Sequence, residues 1–550
     1  MPPGPEEDKI PRSHWPASIA AGAIPAIVYL AAVALFIKDG FALLDFPLDD
    51  AWIHRVYSRA LAFGHGLAYN IGQQEAGSSS PLWSMLTAPA HWLGALGTDA
   101  VVLAVKAIGV LLGLCTVLSV QRLAHRLGGS RATAVLAAAL FGLDPRLLFS
   151  ALSGMETCLL VAVLTGACLA LTARRPLWFL TLIGLAPVIR PEAAVLLPFA
   201  LTGVAMVLKS DRRPAAKALA CSLPVLPAAL WSGFCLGATG HVLPNTFYMK
   251  AHGFAIGASE LGLGLRAVAQ HALVTPWLMA AGVAVFVFLC LTRAEHSMPS
   301  LLLLVAAPAL YVLGVVGSRR VILDGYYWTR WVDPASLLLT AASCIGLAHL
   351  LTIVFTSTES KKRAEKAWPP WTRALISLAG LAGLLLSVPT YVASLTDRRD
   401  HLASDSRVIA TMNVQMGQWI KENTAEDVVV GVNDAGAIRY FGERRTIDLL
   451  GLNTADIAFG RIGVDEAIAR SDWLVIFPEL FRRGGKLEEI LVDFEPCIEV
   501  RVPLEEYTIC NEPAQTLKTA FRRKAPPITS GGNRGSEIDG SNLDQRHHAT

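Results

Sequence analysis

The chain of 550 residues predicts an α-helical polytopic membrane protein with a C-terminal extracytoplasmic α/β domain. Hydrophobic residues make up 53% of it and charged residues 17%, with mean hydropathy +0.46, against about 25% charged in a typical soluble domain. Apolar runs of membrane-crossing character recur about eleven times. Beyond residue 395 they give way to short alternating strand and helix patterns. The net charge of +3 carries no nucleic-acid signature.

The first apolar run, residues 17–37, is about 20 residues long and spans a hydrocarbon core of about 30 Å. It is too long for a signal-peptide core and has no small-residue cleavage site, so it reads as a retained span behind a cytoplasmic N-terminus, 1–16. Further spans are expected at 101–121, 132–150, 157–172, 176–189, 192–209, 217–238, 273–292, 299–316, 333–355 and 373–394. Residues 81–97, with Pro81, Pro89 and several polar groups, read as a surface or re-entrant helix.

Basic residues in short loops are retained on the cytoplasmic side. Arg122, Arg126 and Arg131; Arg174 and Arg175; Lys209, Arg212, Arg213 and Lys217; and Lys361, Lys362, Arg363 and Lys366 all fall in connections that an eleven-span alternation keeps inside. The same alternation exports residues 38–100, the SGMET turn at 153–157, the RPE break at 190–192, segments 239–272 and 317–332, and everything after about 395. The expectation is a multi-pass cell-membrane protein with its N-terminus cytoplasmic and a transmembrane domain over 17–395.

Past the last span, 404–422 reads as an amphipathic helix, 428–432 and 446–451 as buried strands, 464–470 as a helix, 472–477 as a strand and KLEEILVDF as a helix. These form an α/β domain over 396–514. The polar remainder, 515–550, reads as disordered, its terminal His pair included. Seven of the nine cysteines fall within predicted spans as small apolar residues; Cys497 and Cys510 lie in the exported domain, either bridged or as free thiols.

The exported polar residues are the place to look for chemistry, because uncompensated charge beside a bilayer is costly. Asp49 and Asp50 follow the first span. They suit either the N-terminus of a helix, as caps helped by its dipole, or a site in which one carboxylate accepts a proton from an attacking hydroxyl. His54 lies one turn beyond Asp50. Glu156 sits at the SGMET junction, where a helix cap is the alternative; Arg190 and Glu192 flank Pro191 between two short spans, where they either pair with each other or line a groove. HVLPNTFYMK brings Asn245, Tyr248 and Lys250, and SRRVILDGYYWTRW brings Arg319, Arg320, Tyr326, Tyr327, Arg330 and Trp331. Interface anchoring accounts for most of these, but Arg330 directly precedes a span and offers a planar, permanently charged partner to a phosphate at headgroup depth. No glycine-rich phosphate loop stands out.

The ordered set FPLDDAWIHRVYSRALAFGHGLAYNIGQQEAGSSSPLW, SGMET, IRPEAAVLLP, LPNTFYMKA, an aromatic-Arg segment and VNDAGAIRYFGERRTIDLLGLN resembles the GT-C class of membrane glycosyltransferases over residues of about 17–460. It is most similar to the arabinofuranosyltransferase-like branch, and more distantly to protein O-mannosyltransferases. The segment YYWTRWVDP departs from the simpler Arg-Tyr pattern of relatives. The resemblance implies inverting transfer of a sugar from a polyprenyl-phosphate donor to a hydroxyl of a cell-envelope glycan, lipid or protein on the external face. It implies Asp49 as base and Asp50 as its assistant. Donor phosphate and substrate contacts then fall to Arg330, Arg190, Glu192, Lys250, Asn245, Tyr327, Glu156 and His54. No cofactor is required on this reading, although Asp49, Asp50 and Glu156 are oxygen ligands that suit a divalent cation. The VNDAGAIRYFG stretch reads as a structural turn, and the exported domain as a lid or acceptor-binding module. A secondary transporter and a lipid-linked glycan polymerase or ligase are the competing readings; the absence of an internal repeat and the large external domain weigh against the first.

Overall fold

The computed structural model describes residues 15–210, 213–250, 257–269, 273–292, 294–319, 329–352, 369–506, 508–509 and 513–524. Each predicted apolar segment falls on helix within them. Trp15–Phe36, Thr98–Arg126, Thr157–Thr172, Pro176–Ile189, Pro276–Thr292, Asp333–Thr352 and Pro370–Ile409 are continuous. Two segments drawn as single spans are broken: Arg131–Gly142 meets Pro145–Leu152 at 59°, and Pro214–Ser222 meets Leu226–Thr239 at 52°. Pro145 and Pro224 stand at these breaks, and Pro145 holds the preceding Asp144 in extended geometry. Residues 191–210 start as the 3₁₀ helix Pro191–Phe199, which contains Pro198, before continuing as Ala200–Ser210.

By length and apolarity, five helices among the described residues can cross a bilayer, or up to seven if each bent pair is one span; four more apolar helices have only 10–17 residues. A count of about eleven therefore exceeds what helix length alone supports. The helices pack through small residues where backbones meet: a Cβ on Gly346 would lie 2.0 Å from the Gly282 carbonyl oxygen, so Pro276–Thr292 and Asp333–Thr352 can touch only with hydrogen at that point. Residues 81–97 form the helix Pro81–Thr87 and the 3₁₀ helix Ala88–Leu96, laid against the helix Asp49–Ala62 through a 2.9 Å contact between His91 and Ser58.

The predicted helix at 404–422 is the far end of the last apolar helix, carried through the π turn Ala410–Val414 into Gln415–Asn423. Beyond it, β1 (Val429–Val432) pairs in parallel with β2 (Arg445–Asp448) and β3 (Trp473–Ile476). β4 (Phe494–Arg501) and β5 (Leu517–Arg523) add antiparallel, giving the order β2-β1-β3-β5-β4. Both were missed, and β5 corrects the expectation of disorder from 515: Arg522 and Arg523 at its end give it a polar look, while Lys518, Thr519, Ala520 and Phe521 are buried. Residues 525–550 and Cys510 lie outside the described residues; Cys497 is exposed.

Candidate active site

The helix Asp49–Ala62 starts at the acidic pair, with Leu48 extended before it and no side-chain cap made there. Capping therefore does not account for the acids. Successive residues on a helix diverge by about 100°, and the two carboxylates go to different places. Asp49 turns to the C-terminal domain, where its Oδ2 accepts from Gly436 N at 2.7 Å and its Oδ1 from Ala437 N at 2.9 Å and Asn413 Nδ2 at 3.0 Å. Asp50 turns into a cleft and is ion-paired with Arg330.

That cleft gathers most of the residues picked out in the sequence: Asp50, His54, Glu156, Arg190, Glu192, Lys250 and Arg330 all line it. His54, one turn along from Asp50, shares its face as expected. Glu156 Oε1 accepts from Arg190 Nε at 2.6 Å, and its Oε2 lies 3.4 Å from His54 Nε2. Arg190 pairs with Glu156 and donates from Nη1 to the Arg330 carbonyl at 3.0 Å, so the short-span break at Pro191 braces the phosphate-ligand candidate from behind. Trp331, read as an interface anchor, also lines the cleft.

One of the substrate-contact candidates falls elsewhere. Asn245 is fully buried and is absent from the lining; its backbone N donates to Ala76 O at 2.9 Å and its side chain to Glu75 at 3.3 Å, so it fixes the start of the helix Asn245–Lys250 that presents Lys250. Tyr327 lies outside the described residues. Tyr248 packs edge-on against Phe459, which stacks on His241, so the C-terminal domain grips this segment. The three carboxylates considered for a cation do not converge: Asp49 binds amides, Asp50 binds Arg330 and Glu156 binds Arg190. Among the described residues no group of three or more His, Cys, Asp or Glu is placed to hold a metal ion.

The environments of the acidic pair are opposite. Burial opposes ionisation of Asp50, yet the Arg330 and Lys250 cations and the Arg330 hydrogen bond outweigh it and hold its carboxyl well below the usual range. Burial and the neighbouring Asp434 carboxylate push Asp49 up to about 7, against Lys518, the Ala437 amide and Asn413. The contacts around Asp49 were not foreseen in the sequence reading. Asn413, Asp434, Gly436 and Lys518 come from three separate stretches, and only the NDAG run, read as a plain turn, carried a signal. It is more than a turn: a Cβ on Gly436 would sit 2.1 Å from the Asp49 carbonyl oxygen, so glycine is required for this approach.

Fold and cleft together define a helical membrane protein with a charged cleft at the junction of its first long loop and an α/β domain. Its fold is that of the GT-C class. An archaeal oligosaccharyltransferase, AglB from Archaeoglobus fulgidus, in complex with an inhibitory peptide and a dolichol-phosphate, superposes with a TM-score of 0.54 at 12% identity over 88% of this chain and 72% of that one. ArnT from Cupriavidus metallidurans bound to undecaprenyl phosphate gives a TM-score of 0.52 at 13% identity, over 93% of this chain and 98% of that one. At such identities the likeness is one of fold. Residues 403–522 match the family model of a domain of unknown function, DUF8728. No curated protein matches the chain.

Proposed function

We propose that the protein is an inverting glycosyltransferase that moves a sugar from a polyprenyl-phosphate-linked donor to a hydroxyl of a cell-envelope glycan, lipid or protein at the external face of the membrane. One observation carries the reading: Asp50 faces the same cleft as the cations Arg330, Lys250 and Arg190. Such a site can hold a carboxylate against an attacking hydroxyl and fixed cations against a leaving phosphate. That the two similar folds hold a dolichol-phosphate and undecaprenyl phosphate is consistent with it.

In the proposed reaction Arg330 and Lys250 bind the donor phosphate. The acceptor oxygen attacks the anomeric carbon from the opposite face, its proton passes to Asp50, and the carbon–oxygen bond to phosphate breaks with inversion. The polyprenyl phosphate leaves as an anion, and the cations take up its charge without a proton. Asp50 replaces Asp49 as the base because geometry precedes pKa in such an assignment: Asp49 is outside the cleft lining, and three donors occupy its oxygens. A phosphate that draws Arg330 away from Asp50 also removes the main attraction that keeps the carboxyl acidic, so donor binding raises the basicity of Asp50 when it is needed.

No step calls for a metal or cofactor. The orientation follows from the basic loops, with the N-terminus cytoplasmic and the α/β domain outside. The order of motifs makes the arabinofuranosyltransferase-like branch the finer assignment. The test is transfer of label by purified protein from a panel of polyprenyl-phosphate sugars, pentosyl and hexosyl, to a membrane acceptor fraction; no transfer from any donor refutes the reading.

A further inference from the structure

We propose that the C-terminal α/β domain positions the active site of this enzyme, with Lys518 of its last strand acting through Asp434 and Asn413 to set the helix start that carries Asp49 and Asp50. The inference rests on the transferase reading and gives residues 403–522 a role: they complete the site from outside the membrane.

Lys518 is fully buried. A buried ammonium is costly and persists where its partners are good. Here Nζ donates at 2.5 Å to both Asn413 Oδ1 and Asp434 Oδ2, and it lies 4.2 Å from the centroid of the Phe477 ring. Its place is fixed by strand pairing on both sides of β5, with Lys518 itself opposite Val500 of β4. Asn413 then turns its amide outward and donates to Asp49 at 3.0 Å and to Asp434 at 3.1 Å. The Lys518 contact orients that amide, because an Asn whose oxygen is held by a cation can offer only its NH₂ to the acids. The 433–437 loop, held through Asp434, brings the Gly436 and Ala437 amides onto Asp49. Asp49 is joined by one peptide unit to Asp50, so rotation of the first helical turn would swing Asp50 out of the cleft.

Domain docking does not depend on this cluster alone. Tyr57 Oη donates to Asn453 Oδ1 at 3.0 Å, and the Asn70 side chain exchanges two hydrogen bonds with the Thr446 backbone at 2.9 and 3.0 Å. Cutting the Lys518 chain therefore leaves the domain attached and loosens only the helix start.

The test compares full-length wild type with Lys518→Met and Asn413→Ala in detergent, by hydrogen–deuterium exchange and by transfer kinetics. Expected are faster exchange in peptides covering 46–56, unchanged exchange in the peptides around 69–70, and kcat lowered about ten- to a hundredfold with donor KM unchanged. Unchanged exchange at 46–56 with wild-type kcat overturns the proposal. So does loss of protection throughout the domain in both variants, which would make the cluster a folding element rather than a positioning one. If wild type transfers nothing, the transferase reading fails, while exchange still decides whether Lys518 holds the helix start.

Discussion

Replacing Asp50 by Asn is expected to tighten binding of polyprenyl phosphate while abolishing transfer. The Asp50 carboxylate and the donor phosphate are like charges competing for Arg330, whose side chain is only 6% exposed and so has few alternative partners in water. Taking about 5 Å between the two anions and an effective dielectric of about 20, their repulsion is about 3 kcal/mol. Asp50 keeps 19% exposure, and the cleft is open to solvent, so a gain of about 1–2 kcal/mol, roughly tenfold in Kd, is the realistic expectation. Asn keeps the shape and removes the carboxylate charge that competes for Arg330, but it cannot accept the acceptor's proton. The assay pairs titration of the detergent-solubilised protein with undecaprenyl phosphate against a transfer measurement, with thermal unfolding as a check on folding. Weaker lipid-phosphate binding in a folded Asp50→Asn protein, or transfer retained within tenfold, refutes the reasoning.

Three further outcomes follow from the same geometry. Asp49, Glu75 and Asp448 are pushed up to about 7, 7 and 6, chiefly by burial; the folded state then binds more protons than the unfolded chain between pH about 4 and 7, so stability falls as pH rises through that window. Asp49→Asn should remove its share of the slope in a plot of unfolding midpoint against pH, and an unchanged slope contradicts its placement between Asp434 and the Gly436 and Ala437 amides. Gly436→Ala should cost about 1–3 kcal/mol as overpacking, read as a lowered midpoint with lost transfer, because the new methyl would overlap the Asp49 carbonyl. Transfer should survive a chelator at concentrations that strip divalent cations, since side-chain cations meet the phosphate; inhibition reversed by added metal would put an ion into the site.

Much of the cleft could be read from residue type and topology. Asp50, His54, Glu156, Arg190, Glu192, Lys250 and Arg330 stand out one by one as charges beside apolar helices, and the structure brings them into one cleft. Their pairings could not be read that way. Arg190 bonds to Glu156, 34 residues away, rather than to its near neighbour Glu192, and Arg330 meets Asp50 across 280 positions. Asn245 looks like a ligand in sequence, yet it is a buried brace. β5 escaped notice because Lys518, Arg522 and Arg523 make the stretch look polar and only its neighbours β3 and β4 explain its burial.

The sequence by itself determined the membrane class and the helical segments, because hydropathy and proline placement are local quantities read along the chain. Only the tertiary structure separated Asp49 from Asp50. Two adjacent carboxylates of one type are indistinguishable until a helix turns them about 100° apart, and what each then meets, amides and Asn413 for one, Arg330 for the other, is supplied by chain hundreds of residues away.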